Sequence, residues 1–374
     1  MKDVSIYVLQ CYKPYEEKMM DRKSFAEQLL SISIPSNMPF DEQQKALEPL
    51  MKAAHSLLPD KLYRFRSCTE LCIGAFDKDE LWASTADCMN DGFDTRLFID
   101  EKAVKEQLYK SLQNNTDKAS ILNMLSNLDN LPQPLKQVMD SIKNLSEYDI
   151  NKYVDAFTEL VKFDTEEVLQ HVNSVGQQAI KFCCFSENIK SPTMWGIYAS
   201  DESGFALEYD FTQLPYAQSP NETYTRECTL FPMIYGDERF RVPNEYVVFL
   251  LQYRLMHMAM VRSGFMTMYP DLAKNILATG VCPDNLMVTK ISLQKSKEWE
   301  RETEWRLFVS SMNDFEFMNA KHGCCIKKPT AIYLGRRIKP INEKILRKLA
   351  EEKNIPVYKM KLDDESPTYE MQYE

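Results

Sequence analysis

Short strand-like segments separated by a long helical stretch are the feature that most constrains this fold. Between residues 100 and 178, apolar positions recur every three or four residues and glycine is absent until Gly176, which is typical of amphipathic helices. Strand patterns occur on both sides of this stretch, at 61–66, 80–84, 180–186, 204–210, 303–310, 331–335 and 356–361. The sequence therefore predicts an α+β fold, with a mixed, largely antiparallel sheet core and large helical insertions.

The same patterns divide the chain. An N-terminal helical extension is expected at 1–60, because apolar residues from Asp41 to Leu58 are spaced as on a helix and Pro59 follows. We assign 61–99 to the first part of the core and 100–179 to a helical insertion. The remainder of the core is assigned to 180–362, including a helical segment at 243–280, and a polar tail to 363–374.

Composition limits the functional classes. The 45 basic and 55 acidic residues give a net charge of −10, so nucleic acid could bind only in a local groove. No apolar run is long enough to cross a bilayer and no leader pattern is present, so we expect a soluble, cytoplasmic protein without a membrane partner. The ten cysteines are widely spread and form no C-x-x-C pair, which favours reduced thiols and predicts no metal site.

Histidine-based and common nucleotide-binding signatures are missing from the sequence. The chain has no phosphate loop, no G-x-G-x-x-G, no H-E-x-x-H and no G-x-S-x-G, and it contains four histidines. Candidate chemistry therefore has to come from carboxylates, arginines and aromatic residues.

A charged strand near residue 304 is the first candidate site. On a strand that begins at Glu302, the side chains of Glu302, Glu304 and Arg306 share one face, whereas Trp305 and Leu307 face the core. Such a row is either a solvated face with an ion pair or part of a polar cleft. The second interpretation gains support from other strands, because Arg64 and Arg66 share a face of one, and Glu208 and Asp210 share a face of another.

Two further segments can contribute ligand-binding groups. On a helix that starts after Ser191-Pro192, Trp195 and Tyr198 share a face, which suits either a platform for a flat ring or a core anchor. The loop from Asn90 to Asp94 is rich in Asn and Asp, residues that stabilise turns as readily as they hold a ligand.

Taken in order, these segments resemble a bacterial family known as domain of unknown function 2971. The similarity lies in a Tyr-basic-aromatic-Arg strand, a Phe-Asn-Asp-Pro-Phe-Asp loop, a Ser-Glu…Met-Trp-x-x-Tyr-Ala…Gly-Phe block and a Trp-x-x-Glu-x-Glu-Trp-Arg strand. In the loop, Met89 and Gly92 replace the family's first Phe and its Pro. In this sequence the motifs are Tyr63 to Arg66, Asn90-Asp91-Gly92-Phe93-Asp94, Met194 to Ala199, and Trp299 to Arg306. The resemblance suggests a role among bacterial accessory and phage-defence genes.

A looser similarity is to ADP-ribosyltransferases. It implies that Arg66 or Arg64 holds a dinucleotide, that Tyr198 or Trp195 stacks on nicotinamide, and that Glu304 stabilises a ribosyl oxocarbenium ion. The leading interpretation is thus an intracellular bacterial effector, in phage defence or a toxin system, that consumes NAD as substrate by transfer or glycohydrolysis without a metal. The predicted catalytic residues are Glu304, Glu302 and Arg306, and the predicted binding residues are Tyr63, Arg64, Arg66, Asn90, Asp91, Asp94, Trp195 and Tyr198.

Two alternatives stay open from the sequence. In a metal-dependent nuclease or phosphodiesterase, Asp91, Asp94, Glu302 and Glu304 would hold Mg²⁺ and Lys297 or Arg306 would bind phosphate. In a non-catalytic sensor or partner-binding protein, the same cleft would recognise a nucleotide, another small-molecule ligand or a phage component, and the helical insertion at 100–179 would contact a protein partner.

Overall fold

The computed structural model describes residues 20–35, 37–115, 180–212, 217–218, 225–262, 264–271, 284–310 and 322–374, with single positions between 136 and 178. Most of the predicted insertion at 100–179, and residues 263 and 272–280 of the predicted helical segment at 243–280, lie outside the described residues. The described helices are α1 Arg22–Ser31, α2 Phe40–Leu57, α3 Glu70–Asp77, α4 Glu101–Asn115, α5 Pro192–Tyr198, α6 Asn244–Arg262, α7 Phe265–Met268, α8 Met287–Ser292 and α9 Pro340–Glu352. Two 3₁₀ turns span Ala86–Cys88 and Lys297–Glu302.

Among the described residues, eleven strands form one sheet, in agreement with the predicted α+β class. The strands in chain order are β1 Leu62–Arg66, β2 Glu80–Thr85, β3 Lys181–Ser186, β4 Phe205–Tyr209, β5 Ala217–Gln218, β6 Thr225–Pro232, β7 Ile234–Gly236, β8 Gln294–Ser296, β9 Glu304–Ser310, β10 His322–Ile326, β11 Ala331–Leu334, β12 Val357–Leu362 and β13 Met371–Tyr373. The main path runs β13-β12-β11-β4-β1-β3-β9-β6-β5, and β7 and β8 pair separately. Within the large sheet only β11 and β12 pair in parallel among the registered strands, so the predicted antiparallel character is confirmed.

The sheet is forked beside β3. One edge of β3 pairs with β9 over its full length, so β1 and β2 share the other edge. Strand β1 meets that edge at Ser186, opposite Tyr63, and β2 meets it at Phe182 and Lys181. In the described registers, no residue of β1 or β2 pairs with 183–185. The two strands therefore diverge there and leave a gap in the sheet.

Both faces of the sheet are covered. The register puts Tyr63, Ser186 and Glu304 on one face, which we call the site face. On the opposite face Trp305 and Leu307 join the main apolar core, which confirms the predicted orientation of β9. The site face carries two separate apolar clusters, one under α1 and α2 and one under α5.

Local sequence explains how α5 begins. The Ser191 hydroxyl accepts the Met194 N–H at 3.4 Å, and Pro192 occupies the first turn, as predicted. The segment predicted as a polar tail contains strand β13, whose Met371 is fully buried against the sheet edge. None of the helices in the described part of the chain has the length and apolar character that a membrane crossing needs.

Candidate functional site

A polar cavity of about 240 Å³ separates the two apolar clusters of the site face. Its walls come from β1, β2, β3, α5, the loop after β2, and the chain from Lys295 to Arg306. It is lined by Tyr63, Arg64, Phe65, Arg66, Trp82, Ser84, Cys88, Met89, Asn90, Asp94, Phe182, Cys184, Phe185, Ser186, Met194, Tyr198, Lys295, Glu302, Glu304 and Arg306. The structure thus brings together nine of the predicted site residues from four separate motifs.

Two carboxylates converge on one lysine in this cavity. Lys295 Nζ lies 2.6 Å from Glu302 Oε2 and 2.9 Å from Glu304 Oε2, and all three side chains are buried. Burial would raise the pKa of Glu304, but the charges of Arg306 and Lys295 outweigh it and lower that pKa to about 2. Burial would likewise lower the pKa of Lys295, but Glu304 and Glu302 raise it. Glu304 and Lys295 are therefore both charged at neutral pH.

Arg306 lines the cavity and holds the carboxylate cluster in place. Its Nη1 and Nη2 donate to the two oxygens of Asp94 at 2.8 and 2.5 Å, and its Nε donates to Glu304 Oε1 at 2.8 Å. Nη1 also donates to the Ser292 carbonyl at 2.6 Å. These contacts favour positioning roles for Arg306 and Asp94. The catalytic role of Arg306 and the ligand contact of Asp94 stay predictions, since both residues line the cavity.

A left-handed turn orients the two carboxylates. Thr303 has φ 42° and ψ 49°, a conformation that β-branched residues rarely adopt. Glu302 therefore ends a 3₁₀ turn instead of starting the strand, which corrects the predicted row of three charges on β9. The row is also buried, so it is not the solvated face that the sequence left open.

Contacts from outside the cavity support this turn. The Thr303 hydroxyl accepts the Glu187 N–H at 3.2 Å, and the Tyr235 hydroxyl accepts the Glu304 N–H at 2.7 Å. Arg22 of α1 donates to the Glu304 carbonyl at 3.3 Å. The backbone at the carboxylate pair is thus held from three elements.

Tyr198 and Asn90 extend the hydrogen-bond network along the wall. The Tyr198 hydroxyl donates to Glu302 Oε1 at 2.6 Å and accepts from Asn90 Nδ2 at 3.0 Å. Burial and the Glu302 carboxylate raise the pKa of Tyr198, so it remains a protonated donor. Asn90, Tyr198 and Glu302 therefore form one chain of hydrogen bonds.

Arg64 and Arg66 reach the cavity through the fork of the sheet. The register directs both away from the site face, yet both line the cavity because β1 and β2 diverge beside them. Arg64 Nη2 donates to the Trp82 carbonyl at 2.7 Å, whereas no described residue accepts from its buried Nη1. Burial and the charge of Arg64 lower the pKa of Arg66 to about 10. Among the described residues, no carboxylate forms an ion pair with either guanidinium.

Four sequence expectations are corrected. Trp195 is fully buried, donates to the Ile189 carbonyl at 2.7 Å and packs edge-on against Phe65, so it is a core anchor. The Asp91 side chain accepts the Phe93 N–H in a turn and does not line the cavity. Glu208 lies elsewhere on the sheet, bound to Lys61 and to the hydroxyls of Tyr333 and Thr330. Asp210 accepts the Thr212 N–H, so neither carboxylate contributes to the cavity.

Lys295 and Trp82 are two of the eleven lining residues that the sequence did not predict. Lys295 lies on a three-residue strand whose neighbours show no periodic pattern, so nothing in the sequence indicates its contact with Glu302 and Glu304. Trp82 is 37 % exposed on β2, and the alternation of that strand could have identified it as the outward residue. In the described part of the chain, no group of three His, Cys, Asp or Glu side chains converges as a metal site.

A match to a known protein family covers part of the site. A family model described as "Protein of unknown function (DUF2971)" matches residues 194–307. The match confirms the resemblance stated from the motifs over that range, which includes Tyr198, Glu302 and Glu304. No curated protein and no solved structure matches the chain. The comparisons do not show a likeness to ADP-ribosyltransferases.

Proposed function

We propose that the cavity is an active site that cleaves or transfers the ribosyl group of NAD or a related nucleotide. The observation that carries the proposal is the meeting of a buried carboxylate pair with two arginines, the buried Arg64 and the partly buried Arg66, in one cavity. Carboxylates stabilise positive charge at a reacting sugar, and arginines bind phosphate groups. A nucleotide carries both a sugar that can react and phosphate groups within one small molecule.

The charges of the site suit cleavage of a glycosidic bond. At one end of the cavity three carboxylates meet two cations, whereas Arg64 and Arg66 line the fork; the members of the carboxylate cluster are Asp94, Glu302, Glu304, Lys295 and Arg306. In the proposed step the bond from C1′ to the nicotinamide nitrogen breaks, and its electron pair leaves with nicotinamide. Water or an acceptor hydroxyl then bonds to C1′ and releases its proton.

The carboxylates would have different roles in this step. Glu304 stays ionised at neutral pH because its pKa is about 2, so it supplies negative charge and not a proton. Glu302 contacts Tyr198 and Lys295 on its two oxygens and lies on the same wall of the cavity. It is our candidate for orienting the incoming hydroxyl.

The experiment is nicotinamide release from NAD by the purified protein, with and without EDTA. We compare the wild type with Glu304→Gln and Glu302→Gln, and use Glu208→Gln as the control because it removes a buried carboxylate outside the cavity. Circular dichroism establishes that each variant is folded. We expect release that survives EDTA, falls at least about 100-fold with Glu304→Gln and persists in the control.

A second candidate is a nucleotide sensor that binds without turnover. The observation in its favour is that Arg306 and Lys295 already occupy both oxygens of Glu304. Binding of NAD without nicotinamide release would select this candidate. Release that disappears with EDTA would instead support the metal-dependent alternative, although its proposed ligand Asp94 is held by Arg306 and Asp91 lies outside the cavity.

The cellular role is part of the same proposal. We place the protein in the bacterial cytoplasm as an effector of phage defence or of a toxin system, on the strength of the family resemblance. Induced expression in bacteria, with growth and phage plaques counted for the wild type and Glu304→Gln, tests this role. Equal growth and equal plaque counts for the two proteins would reject it.

A further inference from the structure

The rim of the cavity presents one exposed aromatic ring beside the arginines. Trp82 is 37 % exposed, whereas Tyr63 and Phe65 on the facing strand are 8 % and 6 % exposed. Its indole N–H donates to Glu80 Oε2 at 2.9 Å, which fixes the ring along β2. Unlike Trp195, this ring has a surface that a ligand can contact, and flat rings stack on tryptophan faces.

The arginine next to this ring has an unused donor. Arg64 is 8 % exposed, and its Nη2 bonds directly to the carbonyl of Trp82. Its Nη1 is buried and has no hydrogen-bond partner among the described residues. Leaving a charged donor unpaired in a buried position is costly, and an anion that enters the fork would satisfy it.

The second guanidinium strengthens this argument. Arg66 follows two residues later on the same face of β1 and lines the same cavity. The guanidinium groups of buried Arg64 and partly buried Arg66 repel each other, and in the described residues no carboxylate pairs with either one. A phosphate group between them would remove the repulsion and accept hydrogen bonds from both.

We infer that Trp82, Arg64 and Arg66 form a nucleoside-phosphate subsite at the fork of the sheet, with the base on Trp82 and the phosphate between the arginines. The inference rests on the proposed function because it assigns the second half of the same ligand. It also sets the orientation: the phosphate lies in the fork, and the sugar bond that reacts lies on the site face at Glu302 and Glu304. Ser84, two residues along β2 and hydrogen bonded to His322 at 3.0 Å, offers a polar neighbour for the base or ribose.

The test is calorimetric titration with AMP, adenosine and inorganic phosphate as probes. We expect AMP to bind at least about 10-fold more tightly than either adenosine or phosphate alone. Trp82→Ala should weaken AMP binding about 10-fold, because stacking on an aromatic ring is lost, and Trp82→Phe should restore most of it. Phe40→Ala, which removes another exposed ring far from the cavity, is the control and should leave AMP binding unchanged.

The role of the arginines is tested with two variants, because Arg64 is buried and its replacement can disturb folding. Arg64→Gln and Arg66→Gln should each weaken AMP binding while adenosine binding stays the same. Unchanged AMP affinity in Trp82→Ala, or no AMP binding by the wild type, would overturn the subsite. Trp82-dependent AMP binding without nicotinamide release would support the subsite and reject the proposed reaction. Nicotinamide release together with AMP binding that does not depend on Trp82 would support the proposed reaction and reject the subsite.

Discussion

The buried pair of Arg306 and Asp94 gives the sharpest test of how the site is built. The two side chains are 1 % and 2 % exposed, and two hydrogen bonds join the guanidinium to the carboxylate. Removing one partner of a buried ion pair typically costs about 3–5 kcal/mol, because the other charge is left without compensation. Arg306→Met also takes a partner from Glu304, so we expect it to lie at the upper end of that range.

The two single variants and the double variant form a thermodynamic cycle. We expect Arg306→Met to lower the free energy of unfolding by about 4–5 kcal/mol and Asp94→Asn by about 3 kcal/mol. The loss of unfolding free energy in the double variant should be smaller than the sum of the two single losses by at least about 2 kcal/mol, because the double variant leaves neither charge buried without its partner. Urea unfolding at pH 7, with equal slopes for all four proteins, measures these values.

Either of two results would refute this reasoning. A loss below about 1 kcal/mol for Arg306→Met would mean that the guanidinium is solvated, as a surface pair would be. Exactly additive single losses would mean that the two side chains do not interact. A smaller loss for Asp94→Asn than for Arg306→Met is expected, because Arg306 keeps its bond to Glu304.

Three further predictions concern the same region. Because the pKa of Glu304 is about 2 in the folded protein and 4.5 ordinarily, its contribution to stability is complete above pH 4.5 and falls as the pH approaches 2. Lys295→Met should make this loss of stability begin and end at a higher pH, because it removes a charge that lowers the pKa of Glu304. Urea unfolding at a series of pH values from 7 to 2 measures the change. Lys297→Met, which replaces an exposed lysine nearby, is the control and should not shift the loss. Trp195→Ala should lower the free energy of unfolding by about 3–5 kcal/mol in urea at pH 7. An unchanged free energy of unfolding would contradict the assignment of Trp195 as a core anchor. Gly204→Ala should lower the melting temperature, because its Cβ would lie 2.1 Å from a carbonyl of β1, and an unchanged melting temperature would contradict this packing.

Local patterns determined much of the fold before any contact was known. Alternation on β9 indicated that Trp305 and Leu307 face the core, and the Ser191-Pro192 pair indicated the start of α5. These features depend on residues close in sequence, because side chains alternate on a strand and a cap acts within one turn. The family resemblance also lies in short motifs, and the match at 194–307 includes two of them.

Tertiary structure alone decided how the site is assembled. The left-handed turn at Thr303 has no marker in the sequence, and it moves Glu302 out of the predicted strand. The fork that admits Arg64 to the cavity exists because β1 and β2 share one edge of β3, and these pairings join residues 96 to 123 positions apart. Lys295 contacts Glu302 and Glu304 from a strand of three residues, which is too short to show a periodic pattern in the sequence. Local sequence thus determined the orientation of β9, the start of α5 and the short family motifs, because these depend on residues a few positions apart. Long-range pairing of the sheet decided which charges meet, because register and burial are properties of neighbours in space.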